Sequence, residues 1–339
     1  MPESPSPSML DPFGEQRATP LRRCLDLLGC SIEFLGDSPE LFELVDAAYA
    51  GLPALQLDQA PADLSIRLSL REGAPLPQLP PEPTMQGGPG LLCALVDADN
   101  HTLVVPAQRQ ALVTISRGML AHAYNARYEL LEFAVFTLAA RVRGLVPLHA
   151  ACVGTEGRGL LLLGRSGAGK SMLALHAMRE GLDFLTEDAS FITPGDLRLV
   201  GIPNFLHLRD DALALIDDAE LLAQVRAAPR ISRRSGVEKQ ELDLRRTSGP
   251  LATKPLRLCG LVFVDGSPCD EGPALRPLAA GSWSEALAQS QPYARGQAGW
   301  SEFLQQLSHV PAYALKRRGP PRESAKRLRE LLAQASPSP

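Results

Sequence analysis

The sequence predicts an α/β domain over residues 146–332, preceded by a small α+β domain over residues 21–145. The first observation behind this is a strand signal, a glycine-rich loop and a helix signal in direct succession. Leu160–Leu163 is continuously apolar, Gly164 to Ser171 reads Gly-Arg-Ser-Gly-Ala-Gly-Lys-Ser, and Met172–Arg179 contains neither Gly nor Pro. The second is a series of short strand-like runs on both sides of that loop, separated by turn residues.

At 339 residues the chain has room for two ordinary domains. A hydrophobic fraction of 45% and a charged fraction of 21% belong to a soluble globular protein. The formal net charge of -4 gives no general attraction to nucleic acid or to an anionic membrane. No apolar run approaches the ~20 residues that span a bilayer. The polar, Pro/Ser-rich start lacks a signal-sequence pattern, so a cytoplasmic location is expected. Cys24, Cys30, Cys93, Cys152, Cys259 and Cys269 are scattered without a Cys-x-x-Cys pair, which points to reduced thiols.

Residues 1–20 and 333–339 read as disordered ends. Cys30–Leu35 reads as a strand. Pro39–Gly51 reads as a helix, capped by Ser38, with Leu41, Leu44, Val45 and Ala48 on its apolar side. Leu64–Leu70 alternates apolar with polar as a half-buried strand does. Six prolines and three glycines make 74–90 a loop. Strands follow at Leu91–Val96, His101–Val105 and Ala111–Ser116, then one long helix over Ala121–Arg143. In the second domain Pro147–Val153 reads as one strand and Gly154–Gly159 as a turn into Leu160–Leu163. Beyond the loop, strand-like runs occur at Phe184-Leu185, Phe191-Ile192, Leu197–Ile202, Glu241–Leu244 and Leu256–Val264. Helices are expected over Asp211–Val225, Ser301–Leu307 and Glu323–Leu332.

Gly164, Arg165, Ser166, Gly167, Ala168, Gly169, Lys170 and Ser171, with Met172 behind them, match a phosphate-binding loop. Glycines there let backbone N–H groups curl around a polyphosphate at a helix N-terminus. Lys170 would reach the β- and γ-phosphates of ATP, and the Ser171 hydroxyl would hold Mg²⁺. The chain has only five lysines, so a chance Gly-Lys-Ser at this spot is improbable.

The adjacent acids Glu187-Asp188 close a short apolar strand and can face different sides. One suits the metal and the other the proton of an attacking hydroxyl. We assign Asp188 to the metal and Glu187 to the base; a solvated acidic turn is the plain alternative. Asp265 competes for the metal, because an apolar strand ending in Asp is the usual second metal-side motif of such folds. Arg209, behind Gly201–Leu208, would neutralise charge on a transferring phosphoryl group, and His207 reads mainly as packing. Residues 226–246 carry five arginines besides Arg226 and Lys239, and read as a flexible basic loop, a lid over ATP or a clamp on an acidic acceptor. Lys239 is its best candidate for entering the site.

Residues from about 120 to about 250 resemble the HPr kinase/phosphorylase family, specifically its looser HPr-kinase-related (HPr serine kinase-like) group. The features that match are Leu148-His149-Ala150, the loop Gly164–Ser171, the helix end Arg179-Glu180-Gly181, the acids Glu187-Asp188, and the segment around Asn125, Glu129 and Glu132. Where that family commonly has two aspartates, this chain has Glu187-Asp188. The resemblance implies a nucleotide domain of the HPr kinase/PEP-carboxykinase-like type, with acid roles for Glu187 and Asp188 and an active-site place for His149. It implies a Mg²⁺-ATP-dependent kinase acting on a hydroxyl, a serine of a peptide or small protein. A kinase of a free hydroxy compound, a nucleotide-binding regulatory or assembly protein, a slow NTPase switch and a carboxykinase-like enzyme are the other readings. No nucleic-acid or membrane partner is expected, and a homo-oligomer is compatible with the sequence.

Overall fold

A computed structural model of the chain describes residues 18–56, 60–268, 273–279 and 281–334. The expectations for residues 1–17 and 335–339 fall outside that range. The described residues divide into two compact units, the first holding residues 18–25, 32–47 and 63–135, the second residues 26–31, 48–62 and those from 136 on.

The first unit is built on a seven-stranded sheet. Its strands are β1 (Leu21–Leu27), β2 (Cys30–Gly36), β3 (Ala62–Arg71), β4 (Thr84–Gly88), β5 (Leu91–Asp97), β6 (Asn100–Val105) and β7 (Gln110–Ser116), in spatial order β1-β2-β3-β7-β6-β5-β4. Helix α1 (Pro39–Tyr49) connects β2 to β3. Ser38 Oγ accepts from Leu41 N at 3.4 Å, the capping contact expected from the sequence. The stretch 74–90 is not all loop: Thr84–Gly88 pairs antiparallel with β5. At an edge a strand needs a ladder on one side only, so the prolines before it do no harm.

The long helix expected over Ala121–Arg143 is broken. Arg117–Leu120 and Ala123–Asn125 are short helical turns, Ala126–Leu131 winds as a π-helix, and only α2 (Glu132–Arg143) is regular. His122, at φ −109° and ψ 56°, leaves the helical region and interrupts the run. A π-turn shifts the side-chain phase, a feature apolar periodicity does not reveal.

The second unit holds a nine-stranded sheet and a three-stranded sheet. The single strand expected over Pro147–Val153 is two, β8 (Val146–His149) and β9 (Ala151–Thr155). β8 pairs with β12 (Ala189–Ile192), whereas β9 lies between β10 (Arg158–Leu163) and β11 (Asp183–Thr186). β8 is the terminal strand of its row, a place that tolerates Pro147. β10 runs parallel to β17 (Leu256–Pro268), which continues past Asp265 and is parallel to β19 (Ala312–Arg317). β13 (Arg198–Val200) joins β12 to β17, and β18 (Leu275–Pro277) pairs with β19. Helix α3 (Lys170–Arg179) follows β10.

The apolar run of β10 has a physical cause. Leu160 and Leu162 pack with α3 and with Leu328 and Leu332 of α6 (Pro321–Gln334). Leu161 and Leu163 face the opposite cluster of Trp283, Trp300, Phe303 and Leu307, partly from α5 (Trp300–Leu307). A strand covered on both faces reads as continuous rather than alternating.

Two further expectations change. Asp211–Val225 is a 3₁₀ segment, Asp210–Leu215, followed by α4 (Ala219–Ala227), whose N-cap Asp218 accepts from Leu221 N at 2.9 Å. The basic stretch 226–246 is no flexible loop. It contains a hairpin of β15 (Arg230–Ser232) and β16 (Glu238–Asp243), which pairs with β14 (Phe205–Leu208). The signal for β14 was obscured by His207 among apolar residues.

Gly154 lets β9 approach β10 closely, because a Cβ there would lie 2.1 Å from Arg158 O. Gly154→Ala is expected to destabilise the second unit by about 1–3 kcal/mol, an overpacking cost, read as a lower denaturant midpoint with unchanged slope.

Candidate functional site

Three glycines shape the loop that leaves β10. Gly164, Gly167 and Gly169 have φ of +149°, +82° and +98°, in the region where side chains are strained. At Gly164 there is a second constraint: a Cβ would lie 2.5 Å from Val264 O of β17. The loop therefore passes tightly over the parallel β10–β17 pair before α3 starts at Lys170.

Lys170 is buried, and its Nζ donates to Gly164 O at 2.8 Å and to Arg165 O at 3.4 Å. Burial lowers its pKa; the carboxylates of Asp188 and Glu187 oppose that shift, and Lys239 adds to it. A cleft of about 420 Å³ opens over the loop, lined by Ser166 through Leu173. It is also lined by His149, Glu187, Asp188, His207, Arg209, Lys239 and Asp265. Of the expected site residues, only Gly164 and Arg165 are missing from the lining; they form the loop's root and hold Lys170.

The two acids face different partners. Ser171 Oγ donates to Glu187 Oε1 at 2.7 Å, and Glu187 Oε2 lies 2.5 Å from His207 Nδ1. His207 Nε2 in turn lies 3.1 Å from Glu241 Oε1. His207 and Glu241 are direct cross-strand partners in the β14–β16 ladder, so the hairpin sets this chain of contacts. The side chains of Glu187, His207 and Glu241 are 8%, 3% and 7% exposed. Burial alone would raise the Glu187 carboxyl; the charge and hydrogen bond of His207 and the Ser171 hydroxyl outweigh it and bring it down to about 2. For His207, burial works downward, and the Glu187 charge with bonds to both glutamates lifts it above its ordinary value. An imidazolium held between two carboxylates results.

Asp188 is 40% exposed, and its Oδ1 lies 3.1 Å from Nδ1 of the half-exposed His149. Its backbone carbonyl accepts from Ala150 N at 3.1 Å, at the kink between β8 and β9. Gln291 clamps the other side of that kink, accepting from His149 N at 2.7 Å and donating to His149 O at 3.1 Å. Sequence reasoning missed Gln291 and Glu241, since nothing local marks a buried Gln or Glu.

Arg209 forms a two-pronged pair with Asp211, with contacts of 3.1 and 2.9 Å. Its remaining guanidinium nitrogen, Nη1, lies 3.8 Å from where a Cβ of Gly167 would be, over the loop. Lys239, on β16, is lowered by burial and by Arg233 and Arg209, with Glu187 and Asp188 acting against that. Asp265 is exposed at the cleft and bonded to Ser267 by both oxygens, at 3.0 and 2.7 Å. The Ser171 hydroxyl thus contacts Glu187, and Asp265 has its own partner.

Among the described residues no group of three or more His, Cys, Asp and Glu is arranged to hold a metal by itself. A hard cation such as Mg²⁺ needs no such group, because it keeps several waters and phosphate oxygens. The neighbouring oxygens of Ser171 and Glu187 are of the donor type it takes.

Breaking a buried ion pair leaves an uncompensated charge, so His207→Leu is expected to cost about 3–5 kcal/mol of unfolding stability. The pH dependence follows from the signs of the shifts. A raised His207 contributes fully below 6.5 and loses that contribution as pH rises through its folded value. A lowered Glu187 contributes fully above 4.5 and loses it on acidification toward about 2. Denaturant unfolding without divalent cations should therefore show stability falling on both sides of a plateau, and His207→Gln should remove the alkaline fall.

No family model matches the chain, and no curated protein matches it. A solved structure, "Structure of the Hpr(Ser) kinase/phosphatase from Coxiella burnetii", is 13% identical, covers 54% of this chain and 94% of its own, and has a TM-score of 0.28. Among the described residues no helix is long and apolar enough to cross a membrane. The mixed α/β architecture with several sheets is compatible with a nucleotide-binding fold.

Proposed function

We propose that this chain is a Mg²⁺-ATP-dependent kinase that transfers the γ-phosphoryl group to a hydroxyl, with a serine of a peptide or small protein as acceptor. The observation that carries this reading is the meeting, in one cleft, of a glycine-rich loop with two separately partnered acids. Glu187 is joined to Ser171, and Asp188 to His149. A nucleotide sensor needs the first pair and has no use for the second.

The surroundings favour exchanging the roles first assigned to the two acids. Glu187 is buried, ionised and already committed through both oxygens, which suits a metal-side ligand beside Ser171. Asp188 is open to the cleft, which suits a proton acceptor. Bound at Ser171 and Glu187, Mg²⁺ would neutralise the phosphate oxygens and hold them in place. The backbone N–H groups from Ser166 to Ser171 would cradle the β-phosphate. The acceptor oxygen would bond to the γ-phosphorus as the bond to the bridging β–γ oxygen breaks. Its proton would pass to Asp188 Oδ, with His149 steadying the carboxyl group. Lys170 and Arg209 would balance the charge left on ADP.

Incubation with ATP, Mg²⁺ and a panel of Ser-containing peptides and hydroxy compounds, read by mass spectrometry, tests this directly. One acceptor should gain one phosphate. Lys170→Ala should lose that activity, and Asp188→Asn should lower kcat by about 10²–10⁴-fold. Glu187→Gln should raise the Mg²⁺ requirement instead. ADP formation with no acceptor modified, equal in wild type and Asp188→Asn, would defeat the kinase reading in favour of an NTPase switch.

A further inference from the structure

The two edges of the seven-stranded sheet differ in chemistry. β1, Leu-Arg-Arg-Cys-Leu-Asp-Leu, carries Arg22, Arg23 and Asp26, charges of the kind that keep an open edge from pairing. Arg22 pairs with Glu33, and Arg23 with Asp46 at 2.6 Å. β4, Thr-Met-Gln-Gly-Gly, has no charge and no proline, and every one of its residues is exposed. Of the five exposed large hydrophobic residues among the described ones, Leu79, Met85 and Leu91 fall within or next to this hairpin.

Met85 also ends a row that is otherwise buried. The cross-strand partners run Met85–Ala94–Thr102–Val113–Leu68, through β5, β6, β7 and β3. Ala94, Thr102 and Val113 are 0% exposed and Leu68 is 3%, whereas Met85 is 60%. The next row on the same face, Gly87–Leu92–Val104–Ala111–Ile66, begins with a residue that has no side chain. The core-facing layer therefore reaches the edge with a protruding methionine and, two residues on, a glycine bordered by the Leu92 side chain.

Those two features complement each other about a two-fold axis. If β4 pairs antiparallel with another β4 centred on Gln86, Met85 falls opposite Gly87 and Thr84 opposite Gly88. Each methionine then lies beside a glycine, and the Met85 row of each copy continues into the Gly87 row of the other. A two-fold axis sets every residue near it against its own kind, so an uncharged strand is what such an edge requires. We propose that the β4 edge is a dimer interface with a second copy of this chain, joining the two seven-stranded sheets through antiparallel β4 strands. This surface is independent of the proposed activity.

Sedimentation velocity at micromolar concentrations should give twice the 36.4 kDa chain mass. Met85→Lys, which sets two charges beside the axis, should shift the protein to monomer with unchanged circular dichroism. Gln86→Cys should cross-link to a covalent dimer under mild oxidation, since directly opposed strand residues lie within disulfide reach; the parent chain serves as control for native thiols. A wild-type monomer would overturn the proposal and leave the edge to a strand from a different partner. A dimer that survives Met85→Lys and fails to cross-link through Gln86→Cys would also overturn it, because the contact would then lie elsewhere.

Discussion

The site depends on a carboxylate kept charged where water scarcely reaches it. Glu187 is held by the Ser171 hydroxyl at the start of α3 on one side and by the His207 imidazole of β14 on the other. An unpaired carboxylate at that depth would take up a proton or destabilise the fold. His207 prevents this, and Glu241 in the facing strand balances His207. The small β14–β16–β15 sheet therefore does more than cover α3: it supplies the counter-charges that keep the acid ionised beside the loop. The same hairpin brings Lys239 to the cleft.

Asp188 is controlled from another direction. The kink at Ala150 splits what would have been one strand into two, sends β8 to a different neighbour, and turns His149 toward Asp188. Gln291 fixes that kink through the backbone of His149 and leaves the imidazole available. Neighbouring residues in the chain thus acquire opposite characters, one buried and saturated, the other open, because two different sheet edges hold them. Environment, more than residue type, divides the work of such an acid pair.

Much of this was legible in the sequence where local signals suffice. The strand–loop–helix succession around Gly164–Ser171 requires only an apolar run, glycines and a helix without breakers, and the structure places those elements there. The presence of His149, Glu187, Asp188 and Arg209 in one cleft followed from spacing and resemblance. What failed was non-local. The Pro147–Val153 split is set by which strands flank it, and the π-turn at Ala126–Leu131 leaves the apolar composition of its helix unchanged. The basic stretch 226–246 reads as flexible because its arginines mask a hairpin whose buried positions include Gln240 and Glu241. A buried glutamate facing a buried histidine is invisible until both strands are paired.

A crystal structure with Mg²⁺ and a non-hydrolysable ATP analogue would decide the proposed division of roles between Glu187 and Asp188. The triphosphate is expected over Gly164–Ser171, the metal beside Ser171 Oγ and Glu187, and Asp188 facing open space next to the terminal phosphate. Metal bound to Asp188 or Asp265, with Glu187 left on His207 alone, would contradict that division.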